Sequence, residues 1–122
     1  MSIYFGSIAA VMGAIGVAMG AFGAHALKEK VEPSMLDIWN TATLYLLIHA
    51  IALLLVHLLG QAKTSNLQVS GLCFMAGAIV FSGSLYILVL SGQKWLGAIT
   101  PIGGTLFIVG WVTLALKLLP KS

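Results

Sequence analysis

Apolar residues fill four long runs of this chain, at about 3-27, 38-59, 67-90 and 95-119, and polar residues fall mainly in the short stretches between them. Each run reaches or exceeds the ~20 residues that a helix needs to cross ~30 Å of hydrocarbon. A helix satisfies its backbone polar groups within one span, whereas a barrel would need alternating strands of about ten residues, a pattern missing from this sequence. The expectation is an all-α polytopic membrane protein: four antiparallel transmembrane helices with short loops, forming a single domain over residues 1-122.

Within the first run, small residues occupy both seam positions of a heptad: Gly6, Ala9, Gly13, Gly16, Gly20 and Gly23. In water each interior Gly would cost a helix about 1 kcal/mol against Ala. In a bilayer such a stripe lets a second backbone approach closely, and packing of that kind drives association where lipid tails remove the hydrophobic effect between helices. The third run has its own small or weakly polar seam at Ser70, Cys73, Gly77 and Ser84, which is expected to receive the stripe. Gly103, Gly104 and Gly110 make the fourth run another close-packing helix. The expected packing glycines are therefore Gly6, Gly13, Gly16, Gly20, Gly23, Gly77, Gly103, Gly104 and Gly110.

Helix ends are marked less evenly. Lys28 follows the first run, and Ser34 with Asp37 three residues on reads as a capping box opening the second. Trp39 and Trp95 suit the aromatic belt at the membrane surface, and Gly60 suits a helix C-cap. Thr100-Pro101 reads either as a helix start, with Thr as N-cap, or as a proline kink inside a longer fourth helix. Ala24-His25-Ala26 resembles a signal-peptide cleavage site, but the preceding apolar run is too long for an h-region and no Lys or Arg precedes it. The first run is read as a retained span.

Composition agrees with the pattern. Of 122 residues 60% are hydrophobic and 7% charged, against about 25% charged in soluble domains. The net charge of +3 arises from six Lys and three acids, placed in loops and at helix ends, where they anchor the spans rather than bind nucleic acid. Lys63, Lys117 and Lys121 fall on one side and Lys28, Lys30 and Lys94 on the other, so the positive-inside rule gives a tie. Termini inside is the orientation adopted. The lone Cys73 excludes a disulfide framework.

Five ordered motifs then carry a resemblance. Gly20-Ala21-Phe22-Gly23-Ala24-His25, the stretch from Thr41 to His49 with Tyr45, Gly83-Ser84-Leu85-Tyr86, Thr100-Pro101-Ile102-Gly103-Gly104 and Gly110-Trp111 together resemble the domain-of-unknown-function 423 family, whose eukaryotic relatives are called transmembrane protein 256. The resemblance spans nearly the whole chain. It implies a small four-helix membrane protein of the cell inner (plasma) membrane and no established reaction.

The chemistry-bearing residues are few. His49 and His57 lie roughly 12 Å apart along one helix at 1.5 Å per residue, and His25 sits at another depth, so no shared metal site or other cofactor is expected. Ser82, Ser84 and Cys73 have no membrane-embedded acid to orient a base, so no enzyme is expected. His49 reads either as a neutral imidazole bonded to Tyr or Ser on another helix, or as a contact for a proton, ion or ligand. Alternating spans bring His25, Asn40, Tyr45, Tyr86 and Thr100 into one leaflet with His49 near the midplane. Those six residues are the candidate ligand site, a shallow pocket opening toward loops 28-37 and 91-99, or else ties between helix ends. The function expected from these readings is packing into a homo-oligomer or onto a membrane-protein partner, with membrane lipid around it. The alternative is binding or transport of a small ligand, lipid or ion around His49.

Overall fold

The computed structural model describes residues 4–62 and 66–120. Four helices are long and apolar enough to cross a membrane. They are α1 (Phe5–Phe22), continued by a π-helical turn (Gly23–Leu27); α2 (Pro33–Ala62); α3 (Gln68–Ser91); and α4 (Thr100–Lys117), led in by a 3-10 segment (Lys94–Ala98). Lys63 and Lys121, counted above for orientation, lie outside the described residues.

The helices pack in chain order, α1 on α2, α2 on α3 and α3 on α4. The central pair is therefore α2 and α3, and the most deeply buried large side chains, Trp39, Phe74, Leu53 and Val56, all come from it. On α2, Trp39 and Thr43 meet α1, whereas His49 meets α4 through Phe107 and Trp111. At 3.6 residues per turn these sets flank the strip around Ala42, whose carbonyl accepts the Ser82 hydroxyl of α3 at 2.7 Å. Hence α1 and α4 approach the central pair from opposite sides.

The glycine stripe of α1 receives α2, not α3 as the seams suggested. A Cβ at Gly6 would lie 2.9 Å from the His57 ring, one at Gly16 2.8 Å from Leu47 Cγ, and one at Gly23 2.7 Å from the Trp39 indole. Gly20 is in ordinary contact only, 3.5 Å from Thr43, and Gly13 has nothing within 4 Å. Gly13 thus faces open space among the described residues. The buried positions Phe5, Ala9, Met12, Gly16 and Gly23 keep a seven-residue spacing, 5 to 12 and 9 to 16 to 23, and only Leu27 in the π turn departs from it. Beside Ala9, Gly16 and Gly23, the other buried row is therefore Phe5 and Met12, one residue before Gly6 and Gly13, and the ~100° step between neighbours turns Gly13 off the buried face. The α3 seam instead accepts α4. Gly77 faces Phe107, Gly103 faces the Phe81 backbone, Gly110 faces Phe74 and Cys73, and Gly104 lies 3.9 Å from the Phe81 ring.

Several helix ends differ from expectation. Pro33 opens α2, and the Leu36 amide already donates to the Glu32 carbonyl at 3.0 Å, so Ser34 lies inside the helix and cannot cap it. Gly60 is likewise interior, because α2 continues through Ala62. Thr100-Pro101 does start α4 rather than kink it, but the cap position is Ile99. Trp95 is well exposed, as an interfacial anchor should be, whereas Trp39 is 1% exposed and belongs to the core.

Hydroxyls and indoles tie the helices where no hydrophobic effect does so. Trp39 Nε1–H donates to the Met19 carbonyl at 2.8 Å, Tyr86 and Thr43 hydroxyls share a bond of 2.7 Å, and Ser70 pairs with Thr113 at 2.8 Å. Met19 O also accepts the Gly23 amide, and α1 widens into its π turn at that point. A side-chain donor entering the backbone ladder is one physical cause of such widening.

Candidate functional site: an aromatic groove between α2 and α4

Because α2 and α4 both lean on α3 without packing extensively on each other, a groove of about 420 Å³ remains between them. Tyr45 and His49 of α2 form one wall, Phe81 of α3 the floor, and Pro101, Gly104, Thr105, Phe107, Ile108 and Trp111 of α4 the other wall. The small side of α4 keeps the groove open: with no side chain at Gly104, the Phe81 ring is left uncovered.

His49 is the hub of this site. It is 4% exposed, its ring stacks on Phe107 at 3.6 Å between centroids, and Trp111 meets it edge-on at 5.8 Å. Trp111 Nε1–H donates to His49 Nε2 at 3.0 Å, which requires Nε2 to be the unprotonated nitrogen. Nδ1, 2.7 Å from the Tyr45 carbonyl, is then the donor. The imidazole is neutral with both nitrogens engaged. Its partners differ from the expected Tyr or Ser: one is a backbone carbonyl of its own helix and the other an indole.

Replacing Trp111 by Phe keeps a ring but leaves Nε2 without its donor, and is expected to lower stability by about 1–3 kcal/mol, the usual cost of an orphaned buried acceptor. Nitrogen NMR on histidine-labelled protein checks the assignment. The native His49 should show the Nδ1–H tautomer; an Nε2–H tautomer would rule out the Trp111 donor.

The six sequence candidates divide among four places. Tyr45 and His49 share the groove. Thr100 neighbours it, but its hydroxyl pairs with Ser84 at 2.6 Å. Tyr86 lies toward α1, its ring tilted against Trp39 with centroids 4.5 Å apart and its hydroxyl bonded to Thr43. His25 and Asn40 are exposed and outside the groove. The groove runs along α4 from Pro101 in its first turn to Trp111, and no residue of loops 28-37 or 91-99 lines it. Sequence reasoning passed over Phe81, Phe107 and Trp111. A signal was present, since Gly104, Phe107, Ile108 and Trp111 fall at i, i+3, i+4 and i+7 and so share one helix face. Among the described residues, no group of three His, Cys, Asp or Glu is placed to hold a metal ion.

A family model described as a protein of unknown function, DUF423, matches residues 19–104. A UPF0382 membrane protein of Staphylococcus aureus is 46% identical over 112 residues, covering 92% of this chain and 89% of its own. Relatives of the same description from Staphylococcus epidermidis and Staphylococcus saprophyticus are each 42% identical, covering 96% and 93% of this chain and 93% and 92% of theirs. No solved structure matches. The apolar spans, the ordered glycine and aromatic motifs and these matches converge on one assignment, and the chain belongs to the DUF423 family of membrane proteins.

Proposed function

We propose that the protein is a non-enzymatic subunit of the cell inner membrane that acts by self-association through the outer face of α1. The observation that carries this reading is a contrast between outward faces. On α2 and α4 the exposed residues are large aliphatics such as Leu44, Ile51, Ile102, Ile108 and Leu116. On α1 the large exposed residues Val11, Ile15, Val17 and Phe22 flank a strip of small ones, Ser7, Ala10, Ala14, Ala18 and Ala21. These small residues stand opposite the glycines that meet α2, so α1 is slender on both sides. A helix of that kind allows close approach of a second backbone, whereas bulky aliphatics suit contact with lipid tails. Helical spans, rather than a barrel, support the inner-membrane placement.

Symmetric self-association brings a residue near the centre of the face against its own copy. With Cys73 replaced by Ala, an Ala14→Cys chain oxidised in native membranes should give a disulfide dimer, and an Ile102→Cys chain should not. Adding Ala18→Leu to the Ala14→Cys chain should suppress the dimer. Equal cross-linking at Ala14 and Ile102, or none at Ala14, would remove the proposal.

A further inference from the structure

We infer that the groove between α2 and α4 is a binding site for a lipid-soluble flat ring bearing a carbonyl acceptor, of the quinone class, with the Tyr45 hydroxyl as its hydrogen-bond donor. The argument is an inventory of protons. Trp111 Nε1–H is committed to His49 Nε2 at 3.0 Å, and His49 Nδ1–H to the Tyr45 carbonyl at 2.7 Å. The Thr105 hydroxyl donates to the Pro101 carbonyl at 2.8 Å. The Tyr45 hydroxyl takes part in no hydrogen bond among the described residues. It is therefore the free donor of the groove, and a ligand must meet it with an acceptor.

Depth narrows the ligand further. Tyr45 lies about 18 Å from the start of α2 and about 26 Å from its end at 1.5 Å per residue, well inside the hydrocarbon. An unpaired hydroxyl there has no water to bond, and acyl chains carry no acceptor. Phospholipid ester carbonyls sit at the interface. A molecule that answers the hydroxyl has to bring its own carbonyl into the membrane core while remaining soluble there.

Shape selects a ring. Tyr45 packs on Phe81 with centroids 4.6 Å apart, and its plane lies within 22° of Phe107, so the groove presents a nearly continuous aromatic surface. Offset stacking is the preferred contact between such surfaces and a planar π-system. A volume of about 420 Å³ falls within the usual range of small-ligand pockets. This site is independent of association through α1 and is testable on a single chain.

The test uses the full chain in nanodiscs of phosphatidylcholine and phosphatidylglycerol, with tritiated decylbenzoquinone as probe and empty discs as background. Saturable binding at one probe per chain is expected. Tyr45→Phe should weaken it about tenfold, the factor for one hydrogen bond of roughly 1.4 kcal/mol. Gly104→Leu should abolish it by filling the groove, while Gly83→Leu, where a Cβ meets nothing within 4 Å, should leave it unchanged. Decylbenzene, which has the ring and tail without the carbonyls, should fail to compete at equal concentration. Uptake no greater than in empty discs, native affinity in Tyr45→Phe, or equal competition by decylbenzene would each overturn the inference. If Gly104→Leu does not fold, Tyr45→Phe decides alone, because it removes a single oxygen that has no hydrogen-bond partner among the described residues.

Discussion

Gly103→Ala should leave little folded protein, whereas Gly104→Ala, one residue further on, should fold as the native chain does. A Cβ at Gly103 would sit 2.7 Å from Phe81 Cα and press on the backbone of α3, which has no rotamer to yield. Relief requires α4 to move away from α3 as a body. That movement would also open the contacts of Gly77 with Phe107 and of Gly110 with Phe74. Dispersion falls steeply over a gap of 0.5–1 Å, so losses along the whole interface add to the local clash. A cost of about 3 kcal/mol or more is expected, at or beyond the upper end for overpacking.

The same added methyl at Gly104 would lie 3.9 Å from the Phe81 ring, an ordinary contact. At Gly13 it would meet nothing within 4 Å among the described residues, and helix propensity favours Ala there by up to about 1 kcal/mol. The three variants can be compared by monodisperse yield after detergent extraction and by thermal aggregation midpoint. Similar behaviour of Gly103→Ala and Gly104→Ala would mean that α3 and α4 are not in close contact at Gly103 and Phe81.

Trp39→Ala is expected to cost about 3–5 kcal/mol, the range for emptying a buried aromatic site. The indole is 1% exposed, makes tilted ring contacts with Tyr86 at 4.5 Å and Phe22 at 5.6 Å, and donates to the Met19 carbonyl of α1. It fills the space that Gly23 leaves and so joins three helices. Trp39→Phe retains a ring and loses the tie, and should cost only about 1 kcal/mol because Met19 O keeps its bond from the Gly23 amide. Reversible unfolding in mixed micelles measures both. If Trp39→Ala unfolds within 1 kcal/mol of the native chain, the glycine contacts alone hold α1 in place.

Neither Trp39 nor Gly103 can be told in the sequence from a residue of the same type with another role. Trp39 lies six residues into α2, near a charged loop, and so resembles an interfacial anchor as much as Trp95 does. What separates them is Gly23, sixteen residues earlier, which makes a socket for one indole and not for the other. Likewise Gly103 and Gly104 are indistinguishable as letters. Their roles are set by a rotation of about 100° between successive residues, so one points into α3 and the other into the groove.

Length and hydropathy alone determine that this chain crosses a membrane as four helices, because each span must satisfy its own backbone within about 30 Å of hydrocarbon. The ordered motifs determine the family in the same way, since they can be read without coordinates. Partner choice is a different kind of property. Whether the α1 stripe would meet α2 or α3, whether Gly13 would lie on it, and whether His49 would face an indole, a hydroxyl or a ligand all depend on helix rotation. Rotation in a bilayer is set by the sum of many weak packing contacts rather than by any one residue. On α1 that sum buries Phe5 and Met12 beside Ala9 and Gly16, and so leaves Gly13 about 100° away from Met12 and off the seam. The groove beside His49 follows from that tertiary balance: α4 stands where Gly77, Gly103 and Gly110 let it approach α3, and the space left toward α2 is what those contacts do not fill.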